Sequence, residues 1–190
     1  MGRPGVREQI VEAALDQFHR RGFNGCSVED ITSAARVPKG SFYNHFKAKE
    51  DLAIEVLGRY AHTAPHELLV AKDVPPLKRL KKYFTALGDD FIACGCHKGC
   101  MLGNFASEVA DHSTGVRKEL ATRFSWWTEQ IARAIREAQH AKQITTTVKA
   151  DLLAGFLLSA WEGTLLRARA ANDPAIVKEF HTVAFNHLLT

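Results

Sequence analysis

Apolar side chains return every three or four residues along almost the whole chain, and that spacing leaves little room for anything but helices. Leu77, Leu80, Phe84, Leu87, Phe91 and Cys94 step along one stripe. Leu120, Phe124, Trp127, Ile131, Ile135 and Ala138 step along another. Strict apolar/polar alternation, the mark of half-buried strands, is scarce, and Ile144 to Val148 reads as a β-branched connector. The expected fold class is therefore all-α.

Punctuation divides this pattern. A first helix is expected from about Arg7 to Arg21, striped by Ile10, Ala14 and Phe18 and stopped by Gly22. Ser27 can cap a short second helix whose Glu29 and Asp30 lie at the positive end of its dipole. Pro38 suits the first turn of a third short helix reaching about Asn44, and a longer fourth begins near Ala48. After Pro75-Pro76 the helices lengthen. Residues 152–166 are apolar on nearly every side, and Asp173-Pro174 introduces a last helix striped by Ile176, Phe180, Val183 and His187.

Composition is that of an ordinary soluble domain, with 46% hydrophobic and 24% charged residues. No apolar run is long enough to cross a membrane, the N-terminus lacks a signal-peptide pattern, and a cytoplasmic location is expected. The net charge of +4 permits nucleic-acid binding without locating it, because residues 1–60 hold nine Lys/Arg against eight Asp/Glu. Local clustering is more informative: Arg3, Arg7, Arg36, Lys39, Lys47 and Lys49 surround one short motif.

That motif is SVEDITSAARVPKGSFYNHF, residues 27–46. A short helix ending in Ala34 and Ala35, a tight connection and a second short helix form the pattern of a helix-turn-helix, whose second helix enters the major groove. Lys39, Ser41, Tyr43 and Asn44 can reach phosphates or base edges while Phe42 and Phe46 turn inward. The full string, with Phe18, Gly22 and Phe23 ahead of it and AKEDL behind, resembles the DNA-binding domain of the TetR/AcrR regulators over about residues 7–57. The resemblance implies a helix-turn-helix domain at residues 1–48 and a ligand-binding and dimerisation domain at 49–190. It implies a repressor that binds double-stranded operator DNA as a homodimer, with no cofactor and no membrane partner, and is released by a small-molecule or electrophilic inducer. Lys39, Gly40, Ser41, Tyr43, Asn44 and His45 would face DNA, with Tyr43, His45 and Lys49 mainly gripping phosphates. Ser27 and Thr32 would approach the backbone, and Arg3 would reach out from the arm. Arg36 occupies a turn position where the family usually has glycine; a left-handed arginine there costs about 1 kcal/mol and adds a possible phosphate contact. Ala48 replaces a serine that commonly caps the fourth helix.

For the sensing half, Phe84, Phe91, Phe105, Phe124, Trp126, Trp127, Phe156 and Trp161 are the aromatic candidates for lining a ligand pocket, with core packing as the plain alternative for each. Glu108 and Glu162 lie amid apolar residues and offer a ligand polar groups. The stretch CGCHKGC sets Cys94, Cys96, His97 and Cys100 close together, in a spacing uncommon for zinc. Cys100 opens a helix beside Lys98 and His97, which favours thiolate. The string GCMLGNFASEV resembles electrophile-responsive members of the family, which implies Cys100 as the sensing thiol. Two other functions fit less of the chain. An enzyme built on Cys100 and His97 has no acid partner, glycine-rich loop or nucleophile elbow, and a zinc-dependent sensor would still bind DNA. The last two helices are expected to pair protomers, with Leu158 and Phe180 in the seam.

Overall fold

The computed structural model describes residues 5–190, so Arg3 lies outside the described residues. Among the described residues ten α-helices follow in order: α1 Val6–Arg21, α2 Val28–Ala34, α3 Gly40–Tyr43, α4 Lys49–Ala61, α5 Glu67–Val70, α6 Pro76–Ala93, α7 Met101–Glu108, α8 Thr114–His140, α9 Ala150–Ala171 and α10 Ala175–Val183. A π-helical turn, Ala184–Leu188, extends α10. Among the described residues there is no strand, and no helix is long and apolar enough to cross a membrane.

The helices pack into two compact units: Met1–Thr63 with Cys100–Arg123, and Ala64–Gly99 with Phe124–Thr190. In the first, α1 buries Ile10, Val11, Ala14 and Phe18, and α4 buries Leu52, Ala53, Val56 and Leu57. Arg59 of α4 binds Glu8 of α1, Nη2 donating to Oε2 at 2.8 Å, and Glu55 of its own helix at 3.0 Å. Helix α7 joins this unit through Phe105, whose ring meets Phe18 at 5.4 Å and Phe23 at 5.6 Å. Gly22 ends α1 at φ 75°, its N–H donating to Phe18 O at 2.9 Å. The positive φ favours glycine, and a Cβ there would lie 2.3 Å from Glu108 Oε1 and push that carboxylate aside.

The second unit is built on aromatic rings. Phe84 of α6, Trp161 of α9 and Phe180 of α10 meet pairwise at 5.5, 5.2 and 5.2 Å. Such pairs contribute roughly 0.5–1.5 kcal/mol each beyond simple burial. Helix α10 approaches α6 so closely that a Cβ on Gly88 would meet Val177 Cγ1 at 2.9 Å. Asn172 ends α9 in the left-handed region, and Asp173 Oδ1 then accepts from Ala175 N at 2.9 Å.

Two local features differ from the expected pattern. The third helix begins at Gly40, because Pro38 and Lys39 supply only three-residue turns, Ser41 N to Pro38 O at 2.9 Å and Phe42 N to Lys39 O at 3.1 Å. Helix α5 has a single turn, too short for its periodicity to show in the sequence.

Candidate nucleic-acid interface

Helix α2 starts with a reciprocal cap. Asp30 N donates to Ser27 Oγ at 3.1 Å, and Ser27 N donates to Asp30 Oδ2 at 2.8 Å. The Ser27 hydroxyl also donates to Asp30 Oδ2 at 2.6 Å. Hydrogen bonds from Ser27, then from Arg21, hold the Asp30 carboxyl down at about 2. The helix ends in a Schellman turn: Arg36 N donates to Ser33 O and Val37 N to Thr32 O, both at 3.0 Å. Arg36 supplies the left-handed residue at φ 56°, where glycine would be unstrained.

The turn delivers the recognition segment. Phe42 and Phe46 are buried, packing against each other at 5.6 Å, while Arg7 lies 5.1 Å over the Phe46 ring. With the phenylalanines inward, Arg36, Lys39, Gly40, Tyr43, Asn44, His45 and Lys47 are exposed and Ser41 is half-buried. Tyr43 keeps 59% of its surface open, and a Cβ on Gly40 would meet nothing within 4 Å. No Asp or Glu occurs from Arg36 to Lys49. Lys39 is paired to Glu29 of α2 at 3.1 Å, both side chains largely exposed. Such a pair is weak and exchanges readily for phosphate.

Two residues expected at the DNA backbone lie differently. Thr32 is 1% exposed, and its hydroxyl donates to Val28 O and Glu29 O, 3.0 and 3.2 Å away in its own helix. The Lys49 ammonium donates to Phe23 O and Cys26 O, both at 2.9 Å, and lies 4.0 Å from the centre of the Phe23 ring. It ties the start of α4 to the α1–α2 loop. Ala48 has no side-chain oxygen to cap α4, but its N–H donates to Asp51 Oδ2 at 3.1 Å. Glu108, read from the sequence as a polar group for a ligand, instead accepts from Asn24 N at 2.8 Å and so braces the same loop, 84 residues away in sequence.

The sensing candidates divide. Phe105 belongs to the first unit, fully buried beside Phe18 and Phe23. Phe84 and Trp161 form the ring cluster of the second unit, and Phe91 is buried there too. Trp127 is buried with its indole N–H making no hydrogen bond among the described residues. Cys100 is buried at the start of α7, and its carbonyl accepts from Asn104 N at 2.9 Å. Cys94 is half-buried, its Sγ 3.1 Å from both Phe91 O and His97 O. Burial pushes the Cys26 and Cys96 thiols up. Residues 95, 96, 98 and 99 all have positive φ, Cys96 and Lys98 among them, so this turn is coiled through unusual backbone.

A capped short helix, a tight left-handed turn and an exposed acid-free segment carried on two inward phenylalanines define a helix-turn-helix DNA-binding regulator. The chain belongs to the TetR family of bacterial regulators. Residues 10–56 match the profile described as bacterial regulatory proteins, tetR family. Residues 76–184 match the tetracyclin repressor-like C-terminal domain. The HTH-type transcriptional repressor DhaR of Mycobacterium sp. is 38% identical, over 100% of this chain and 95% of that one. The repressor NemR of Escherichia coli is 26% identical over 88% and 86%. A crystal structure of a TetR regulatory protein from Rhodobacter sphaeroides superposes with a TM-score of 0.88 at 27% identity, covering 96% of this chain and 98% of that one.

Proposed function

We propose that this chain represses transcription as a two-fold dimer, holding operator DNA through residues 36–45 and releasing it when a small molecule enters the C-terminal half. The carrying observation is the recognition segment: Lys39, Tyr43, Asn44 and His45 stand outward with Ser41 half-buried among them, and no carboxylate follows Arg36 until Glu50. In this reading Lys39, Ser41, Tyr43, Asn44 and His45 meet DNA, Gly40 lets the backbone approach, and Arg36 and Arg3 add phosphate contacts. Ser27 contributes through its cap, and Thr32 and Lys49 act by fixing the frame. Operator binding belongs to residues 1–48 in this division of labour, and ligand binding and dimerisation to residues 49–190. A regulator of this kind works in the cytoplasm and needs no catalytic chemistry.

Dimerisation is supported by apolar surface on the last two helices. Leu152, Phe156 and Leu166 of α9 are 66%, 59% and 69% exposed, and Val183 of α10 is 56% exposed. A stripe of that kind on a soluble protein marks an interface. Leu158 and Phe180, expected in the seam, are buried within the protomer.

For the inducer, the buried Trp127 indole N–H supports a reversible ligand that brings an acceptor, since a buried unpaired donor is costly. Phe84, Phe91 and Trp161 are buried apolar side chains of the same unit. Thiol modification at Cys100 has its own support. Cys100 starts α7, and α7 carries the Phe105 wedge of the DNA-binding unit. Its burial slows direct attack by reagents. The deciding experiment is fluorescence anisotropy on DNA flanking the gene, with N-ethylmaleimide applied to wild type and Cys100→Ser. Saturable, salt-dependent binding supports the repressor, and absence of binding at low salt overturns it. Release of wild type alone assigns the sensor to Cys100. Equal release of both assigns it elsewhere.

A further inference from the structure

A cleft of about 800 Å³ opens in the second unit where the α5–α6 loop crosses α8. Its size falls within the range of small-molecule sites. Its apolar lining is Val70, Val74, Pro75 and Pro76, and the rest of the lining is polar or charged. Arg79 is 6% exposed at its side chain, donates from Nη1 to Leu69 O at 3.1 Å, and pairs through Nη2 with Glu137. Its Nε–H has no acceptor among the described residues. Lys72 and Arg133 line the same cleft and enter no ion pair among the described residues. With Asp73 and Glu137 also lining it, the cleft holds three cations against two carboxylates.

We infer that this cleft binds a small organic monoanion, apolar at one end and carboxylate at the other. Arg79 is held by Glu137 and Leu69 O, while Lys72 and Arg133 stand uncommitted in the same lining, so the cleft offers an oxyanion two cations that no ion pair engages. The net charge of the lining suits one negative charge rather than several. The guanidinium fork of Arg133 matches a carboxylate in two-point geometry. The valines and prolines would cover an alkyl body. Nothing in this inference depends on Trp127 or Cys100, and operator binding is not its readout.

Calorimetric titration with hexanoate, acetate and inorganic phosphate at fixed ionic strength tests it, with amide shifts mapped by NMR. Hexanoate should saturate, tighten by about fourfold per buried methylene over acetate, and move the amides of residues 70–79, Arg133 and Gln143. Arg133→Gln and Lys72→Gln change exposed side chains, so the fold should hold, and each should weaken hexanoate by about tenfold. Arg79 is left intact because its ion pair is part of the fold. Absence of saturation for all three anions up to about 10 mM overturns the site. So do affinities unchanged in both variants, or shifts confined to other residues. Phosphate binding as tightly as hexanoate overturns the monoanion and the role of the apolar lining.

Discussion

The two compact units satisfy their polar groups in opposite ways. In the DNA-binding unit the α1–α2 loop is held by side chains from three directions: Asp30 on Ser27, Lys49 on the carbonyls of Phe23 and Cys26, and Glu108 on Asn24. The C-terminal unit instead leaves donors open at Trp127 Nε1 and Arg79 Nε and presents apolar side chains to solvent on α9. A surface that must meet DNA in one geometry benefits from a backbone fixed beforehand, since any ordering on binding subtracts from affinity. A surface that takes up ligands and a second protomer benefits from groups whose partners arrive later.

The largest expected effect tests whether α7 belongs to the DNA-binding unit. Phe105→Ala empties the space beside the stacked Phe18 and Phe23 rings and should cost about 3–5 kcal/mol in chemical denaturation. A loss below about 1 kcal/mol would mean that α7 merely rests against that unit. Next comes the exposed stripe. Phe156→Glu with Leu166→Glu should give monomers by analytical ultracentrifugation and lower operator affinity by on the order of a hundredfold. Dimers that persist would place the interface elsewhere.

Lys49 sharpens the contrast between frame and contact. Lys49→Ala should lower stability by about 1–3 kcal/mol while leaving the salt dependence of operator binding unchanged. A salt slope smaller by about one unit with stability intact would return Lys49 to the phosphate role read from the sequence. Arg36→Gly should relieve left-handed strain and raise stability by up to about 1 kcal/mol. If Arg36 also meets a phosphate, the salt slope falls by about one unit in the same variant.

The smallest effect lies in the second unit. Burial holds the His181 imidazole below its ordinary value, against the favourable Phe84 carbonyl, with Lys81 opposing and Asp89 favouring the charged form. The unfolded chain therefore takes up a proton before the folded one does. Stability contributed by neutral His181 is complete above about pH 6.5 and declines as pH falls below it. His181→Gln should flatten thermal stability between about pH 7 and pH 5, and an unchanged slope would show that other groups set it.

Much of the DNA-binding unit was legible in residues 7–57 because its determinants are local. Ser27 and Asp30 are three apart, the Schellman turn spans five residues, and Phe42 and Phe46 are one helical turn from each other. Arg36 was recognisable as a strained residue through the family resemblance, in which glycine usually fills that turn position, and its φ is 56°. Sequence periodicity likewise determined that the chain is helical and where most helices begin, since burying one side of a helix imposes the 3.6-residue repeat. It did not decide which unit a stripe would join. Phe105, Phe84 and Trp161 are equivalent as apolar letters, yet the first packs on Phe18 and the others on Phe180. Nor did spacing predict that Lys49 would turn to two carbonyls, that Thr32 would be enclosed, or that Glu137 would meet Arg79 across 58 positions. Local hydrogen bonds and helix periodicity act within a few residues and leave their mark on neighbouring letters. The partners of a buried ring or a buried charge are chosen by which surfaces the helices bring together, and only the tertiary structure makes that choice.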